Sequence, residues 1–190
     1  MTSTVSIPLP IARALSCHMP CLIKPAIGLH TAWVEGHLEW GAGLHEDGFG
    51  ILPSDEVVSS TGFTSWLARL SLEESGADKG DSNYRCVYRW IIDDGTVVGG
   101  IAVRYGDDDF VNTAGHIGYG IRPSARGRGL ATWALRQMLS VSRDLKLERV
   151  LPVCEADNIA SAATIERNAG DLEQVVETDD GPMRRYWITL

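Results

Sequence analysis

Positive charge is scarce in this chain. Its 190 residues hold 17 Lys and Arg against 25 Asp and Glu, a formal net charge of −8 at pH 7. Broad grip on a phosphate backbone needs a basic face, so nucleic acid is not an expected partner. Cysteine is sparse too. Cys17, Cys21, Cys86 and Cys154 are too few and too scattered for a disulfide scaffold. The segment Cys17-His18-Met19-Pro20-Cys21 has zinc-ligand chemistry but lacks a second ligand pair, so no metal is expected. No run approaches the ~18 apolar residues of a membrane span. Pro8 and Pro10 precede the first basic residue, Arg13, which is the wrong order for a secretory leader. The expectation is a cytoplasmic, reducing setting with no membrane partner.

What is present suffices for an ordinary core, with 44% hydrophobic residues. The length suits one domain over 1–190. Composition shifts near residue 80. Before it, spacing allows helices over 30–46 and 61–74, with Trp33, Trp40 and Trp66 on apolar stripes expected in the core. Asp47-Gly48 is read as the stop of the first. After it, Tyr84–Ile92 and Thr96–Tyr105 read as a hairpin around Asp93-Asp94-Gly95. Gly106–Ala114 reads as an exposed loop, and Gly115–Ile121 as a strand with Ile117, Tyr119 and Ile121 on one face. Leu130–Leu145 reads as a helix, Val150–Cys154 as a short buried strand. A further helix starts at Asp157 or Asn158 and is stopped by Gly170. Val175-Val176 and Met183–Leu190 read as a closing strand pair. The class is α+β: a mostly antiparallel sheet flanked by helices.

The richest chemistry lies in Ile121-Arg122-Pro123-Ser124-Ala125-Arg126-Gly127-Arg128-Gly129-Leu130-Ala131. A strand ends, a two-glycine turn follows, and a helix begins. Such a turn aims several backbone N–H groups at one anion, and the helix N-terminus adds partial positive charge. Gly127 and Gly129 allow close approach, while Arg122, Arg126 and Arg128 form a basic island. A plain surface turn with exposed arginines is the other reading of the same residues. A Walker loop is absent, and the dinucleotide fingerprint fails at Thr132 and in its strand context.

Ile121 to Ala131 resembles the acetyl-coenzyme A loop of the GCN5-related N-acetyltransferase (GNAT) superfamily, Q/R-x-x-G-x-G/A. Arg126, Gly129 and Ala131 occupy its three defined positions. Val150–Cys154, then Asp157-Asn158-Ile159-Ala160-Ser161 and a helix reaching Gly170, resembles the second cofactor segment. Gly115–Ser124 and Arg184-Arg185-Tyr186-Trp187 are similar to a bacterial subgroup of predicted acetyltransferases. The likeness covers about residues 84–190, an acetyl-CoA-binding core; residues 1–83 would form a helical, acceptor-side region.

The resemblance implies a splayed central pair of parallel strands, 115–121 and 150–154, with the pantetheine arm lying between them. Tyr119, Gly120 and Ile121 would line the arm. N–H groups of Arg126, Gly127, Arg128, Gly129, Leu130 and Ala131 would hold the diphosphate, and Asn158 would hydrogen-bond the cofactor. The implied activity is direct transfer of acetyl from acetyl-CoA to a primary amine of a small molecule or peptide. A non-catalytic acyl-CoA-binding module is the alternative, and a protein binding another nucleotide is a weaker one. His116 leads as general base, because an ordinary imidazole titrates near neutral pH. Glu155 is second. Ser161 is read as a first-turn polar residue. Relatives carry a proton-donating Tyr where this chain has Ile165, so the acid is unassigned. The excess acid suits a cationic amine, with Glu35, Glu39 and Glu46 able to meet it; a homodimer is left open.

Overall fold

A computed structural model describes residues 19–41, 48–77 and 84–190. The central hairpin pairs β2 (Tyr84–Asp93) with β3 (Thr96–Gly106). Asp94 and Gly95 both take positive φ, 46° and 72°, as a tight two-residue hairpin turn demands. Both strands are buried on both faces, which is why they read as nearly continuous apolar runs. β4 (Ile117–Ile121) pairs with β3. A three-residue strand, β1 (Cys21–Ile23), pairs with the outer edge of β2, giving the order β1-β2-β3-β4, all antiparallel. The sequence reading missed β1 because three residues carry no periodicity.

On one face of this sheet lie α1 (His30–Trp40) and α2 (Ser60–Ser75). α2 begins where the Ser59 hydroxyl accepts the Gly62 N–H, and ends at left-handed Gly76. α1 is shorter than the expected 30–46: Gly41 takes φ 82°, and Asp47 lies outside the described residues. On the other face lies α4 (Leu130–Asp144), whose Leu130, Ala134, Leu135, Met138 and Leu139 are buried. A short helix, α3 (Asp109–Ala114), replaces the loop expected there. Three aspartates look like solvated loop, but the Asp108 carboxylate accepts the Phe110 N–H and starts the helix. The following strand begins at Ile117 rather than Gly115. Gly115 takes φ 88°, and a Cβ there would sit 2.6 Å from the Leu151 carbonyl oxygen.

A second sheet is built on β8 (Gly181–Thr189). It pairs antiparallel with β5 (Arg149–Val150), β6 (Val153–Glu155) and β7 (Asp171–Thr178). β7 is much longer than the expected Val175-Val176. Its residues are largely exposed, so polar ones such as Glu173 and Gln174 sit in the strand. The two sheets touch through one parallel bridge, Ile117 to Pro152, backed by the His116 N–H to the Leu151 carbonyl at 2.7 Å. Past that point β4 and β6 diverge as a splayed parallel pair. The fold is α+β and mostly antiparallel, as the sequence implies.

Between β6 and β7 runs α5 (Ile159–Glu166). Its end differs from expectation. The residue in the left-handed region is Ala169, at φ 62°, not Gly170. Gly170 is needed for closeness instead: its N–H donates to the Ile165 carbonyl, and a Cβ would meet Ile165 Cγ2 at 2.4 Å.

Candidate active site

The divergence of β4 from β6 opens a cavity of about 940 Å³. One wall is Tyr119, Gly120 and Ile121 of β4; the opposite wall is Val153, Cys154 and Glu155 of β6. The glycine turn and the first turn of α4 close one end, and Asn158, the α5 residues Ile159, Ala160, Ser161, Ala163 and Thr164, and Arg167 line the floor. Trp40, at the end of α1, joins from the N-terminal half. It was expected in the core with Trp33 and Trp66; those two are buried, whereas Trp40 is only half-buried.

The turn has the torsions its glycines allow. Gly127 and Gly129 take φ 75° and 78°, and a Cβ at either would meet no atom within 4 Å. These glycines therefore serve conformation and an open approach rather than packing. Gly129 is the N-cap of α4, and the first helical bond runs from the Trp133 N–H to the Gly129 carbonyl. The N–H groups of Leu130, Ala131 and Thr132 precede that bond and have no acceptor among the described residues. The Arg126 N–H, counted in the cradle from sequence, donates to the Pro123 carbonyl instead. The Arg126 N–H is therefore not among the groups that the turn leaves open. The residues present fit a diphosphate.

The basic island is largely neutralised. Arg122 Nε lies 2.6 Å from Glu39 Oε2, and the same carboxylate accepts the Ser124 N–H at 2.5 Å and the Ser124 hydroxyl at 3.0 Å. The Ser124 N–H, foremost, holds the Glu39 carboxyl below its ordinary range. Arg128, expected on the cofactor, does not line the cavity: its Nη2 pairs with Asp93 Oδ2 at 2.6 Å. Arg126 does line it, and its Nε donates to the Ile121 carbonyl at 2.9 Å.

Asn158 caps α5, its Oδ1 accepting the Ser161 N–H at 3.0 Å, which leaves its amide N–H₂ for the cavity. Ser161 does more than the plain role assigned from sequence. Its hydroxyl lies 2.8 Å from the Tyr119 hydroxyl, a bond across the splay between residues 42 apart in sequence. The Cys154 thiol, on the β6 wall, is pushed up by burial and stays protonated. Ile165, in the position of the missing tyrosine, is fully buried.

His116 is placed differently from the role expected of it. It precedes β4 and does not line the cavity. Its Nδ1 accepts the Leu151 N–H at 3.2 Å, at the closed end of the splay. Burial, then the Arg149 charge, pulls its pKa below the ordinary value. A neutral ring that accepts on Nδ1 carries its proton on Nε2, so its one basic lone pair is taken by the Leu151 N–H. Among the described residues, Glu155 is the one carboxylate lining the cavity. Of the other acids, Glu39 is tied to Arg122, Glu35 lies on α1 away from the lining, and Glu46 is outside the described residues. Cys17 and His18 are outside them as well, and no cluster of metal-ligand type occurs among those described.

A family model described as the acetyltransferase (GNAT) domain matches residues 51–169, more than half of the chain. The chain belongs to the GNAT acetyltransferase family. It is an acetyl-CoA-dependent N-acetyltransferase, and acetyl-CoA is its acyl donor. Solved structures share the GNAT fold at low identity. The acetyltransferase from Salmonella typhimurium that modifies the N-terminal serine of ribosomal protein L7/L12 is 18% identical, at TM-score 0.64, over 92% of this chain and 96% of that one. Mycobacterium smegmatis RimJ, solved with a CoA disulfide, is 20% identical at TM-score 0.68, over 90% and 81%. The microcin C7 self-immunity acetyltransferase MccE, solved with acetyl-CoA and AMP, is 15% identical at 0.62, over 90% and 92%. No curated protein matches the chain by sequence. No described helix of this GNAT protein is long and apolar enough to cross a membrane.

Cavity-lining residues that the sequence reading did not place at the site include Trp40, Thr132, Cys154 and Arg167. Only Arg167 carried a signal, a basic residue near the end of the Asn-capped helix.

Proposed function

We propose that this enzyme acetylates a primary amine by direct attack, with the Tyr119–Ser161 hydroxyl pair as proton source for the departing thiolate. The observation that carries this is the 2.8 Å bond between the two hydroxyls, spanning the wall and floor of the splay. The pantetheine arm would lie along Tyr119, Gly120 and Ile121. The N–H groups of Gly127, Arg128, Gly129, Leu130 and Ala131 would hold the diphosphate, and Asn158 would donate to the arm. The amine nitrogen attacks the thioester carbonyl, the C–N bond forms, and the C–S bond breaks. Sulfur leaves with the electron pair and takes a proton through the paired hydroxyls; the amide nitrogen sheds its own proton. An alkyl ammonium must first lose a proton, and Glu155 takes it through water. His116 acts instead as a latch between the two parallel strands.

The acceptor is an amine that is cationic when free, drawn by the acidic surface of the chain. A peptide α-amine is the first to test, because one enzyme of this fold modifies an N-terminal serine. We assign the protein to the cytoplasm, treat 1–190 as one domain, and assign the acceptor side to residues 1–83. Thiol release from acetyl-CoA over a panel of N-terminal peptides, polyamines and amino acids tests the reading. Tyr119→Phe and Ser161→Ala are each expected to lower kcat at least tenfold with acetyl-CoA affinity retained. Unchanged kcat in both would remove the pair from the mechanism. A chain that binds acetyl-CoA but releases no thiol with any amine would favour a binding module.

A further inference from the structure

Four arginines come near the cofactor end of the cavity, and they are not equivalent. Arg122 is neutralised by Glu39, and Arg128 by Asp93, whose side chain is only 9% exposed. Opposite charges at hydrogen-bond distance largely cancel each other's field a few ångströms away. Arg126 and Arg167 have no carboxylate partner among the described residues, both are exposed, and both line the cavity. They sit on different elements. Arg126 opens the glycine turn. Arg167 follows the last turn of α5, and the next residue, Asn168, donates its Nδ2 to the Thr132 carbonyl at 3.1 Å. That bond ties the end of α5 to the first turn of α4, so Arg167 is held beside the same helix terminus from the other side.

The backbone N–H groups of the turn and of α4 already match a diphosphate. An uncompensated guanidinium on a separate element implies a second anionic group on the ligand. We propose that Arg167, helped by Arg126, binds the ribose 3′-phosphate of coenzyme A. This rests on the acetyl-CoA reading and deepens it. The 3′-phosphate is a monoester, with a charge near −2 at neutral pH and three acceptor oxygens. A guanidinium takes such a group through two parallel N–H bonds. In a chain of net charge −8, two unpaired arginines at one cavity rim give the donor a local field that the rest of the surface opposes. The enzyme therefore selects acyl donors that carry the 3′-phosphate.

Calorimetric titration of coenzyme A and 3′-dephospho-coenzyme A tests this on the wild-type chain, Arg167→Gln, Arg167→Lys and, as a remote charge control, Arg143→Gln on α4. The wild type is expected to prefer coenzyme A by about tenfold or more, and less so at high salt. Arg167→Gln removes most of that preference and leaves the dephospho-ligand's affinity unchanged. Arg167→Lys keeps part of it, and Arg143→Gln keeps all of it. Equal weakening of both ligands by Arg167→Gln would place Arg167 on the diphosphate and overturn the proposal. So would an unchanged preference in that variant, or a wild type with no preference. A wild type that binds neither ligand would instead sink the acetyl-CoA reading itself.

Discussion

The two faces of the β1–β4 sheet are filled with different material. Under α1 and α2 lie Trp33, Phe49, Phe63, Trp66 and Trp90, a continuous ring cluster in which Trp33 and Trp66 have centroids 4.8 Å apart. Between α4 and the sheet lie Val98, Ile101, Val103 and Ile117 with Leu135 and Met138 of the helix, and no buried tryptophan. Rings fill space in large rigid units; aliphatic side chains fill it in small adjustable ones. The stiff face anchors α1, whose final turn sends Glu39 to Arg122 and Ser124 before the glycine turn and Trp40 to the cavity. The aliphatic face ends where β4 and β6 part, and there the molecule leaves room for a ligand. The contrast is between a half filled to its surface and a half that leaves a cavity open.

The largest expected break in that contrast is Trp33→Ala, which removes the hub of the ring cluster. It should cost about 3–5 kcal/mol, read as a lower urea midpoint. A loss under about 1 kcal/mol would mean that the aromatic face is not the rigid one. Glu39→Gln tests the link between the halves. Loss of the carboxylate charge that holds Arg122 and Ser124 should raise the acetyl-CoA KM about fivefold, with kcat and the acceptor KM little changed. Equal effects on both KM values would show that α1 does not act through the loop. Ala169→Gly is expected to stabilise the open half by about 0.5–1 kcal/mol, because a Cβ at φ 62° is strained. The smallest effect concerns His116. Burial depresses its pKa in the folded state, so its contribution to stability is complete above the unfolded value and lost as pH falls through the folded one. His116→Asn should flatten the decline in stability below about pH 6.5, followed by thermal melts. A decline of unchanged steepness would remove His116 as its source.

The local geometry around the cavity could be read directly in part. Arg126, Gly127, Gly129 and Asn158 carry short-range signals: positive φ, a helix N-terminus and a side-chain cap, each decided within a few residues. The strands of the hairpin were legible because burial on both faces leaves an unmistakable apolar run. The misses have a common origin. Tyr119 and Ser161 meet across 42 residues, so neither advertises the other. Arg122 and Arg128 look identical to Arg126 in sequence, and only Glu39 and Asp93, from elsewhere in the chain, set them apart. His116 had the right chemistry for a base, but its ring points to the Leu151 N–H rather than to the cavity. α3 was hidden because three aspartates look solvated whether or not one of them caps a helix.

The sequence by itself determined the cradle: backbone torsion and orphan N–H groups are properties of neighbouring residues, and glycine placement specifies them. Only the tertiary structure decided which arginines meet a carboxylate, which hydroxyls hydrogen-bond to each other, and which histidine nitrogen is occupied. Those are matters of distance between remote residues, and Coulomb and hydrogen-bond energies are set by that distance and by the water that burial removes.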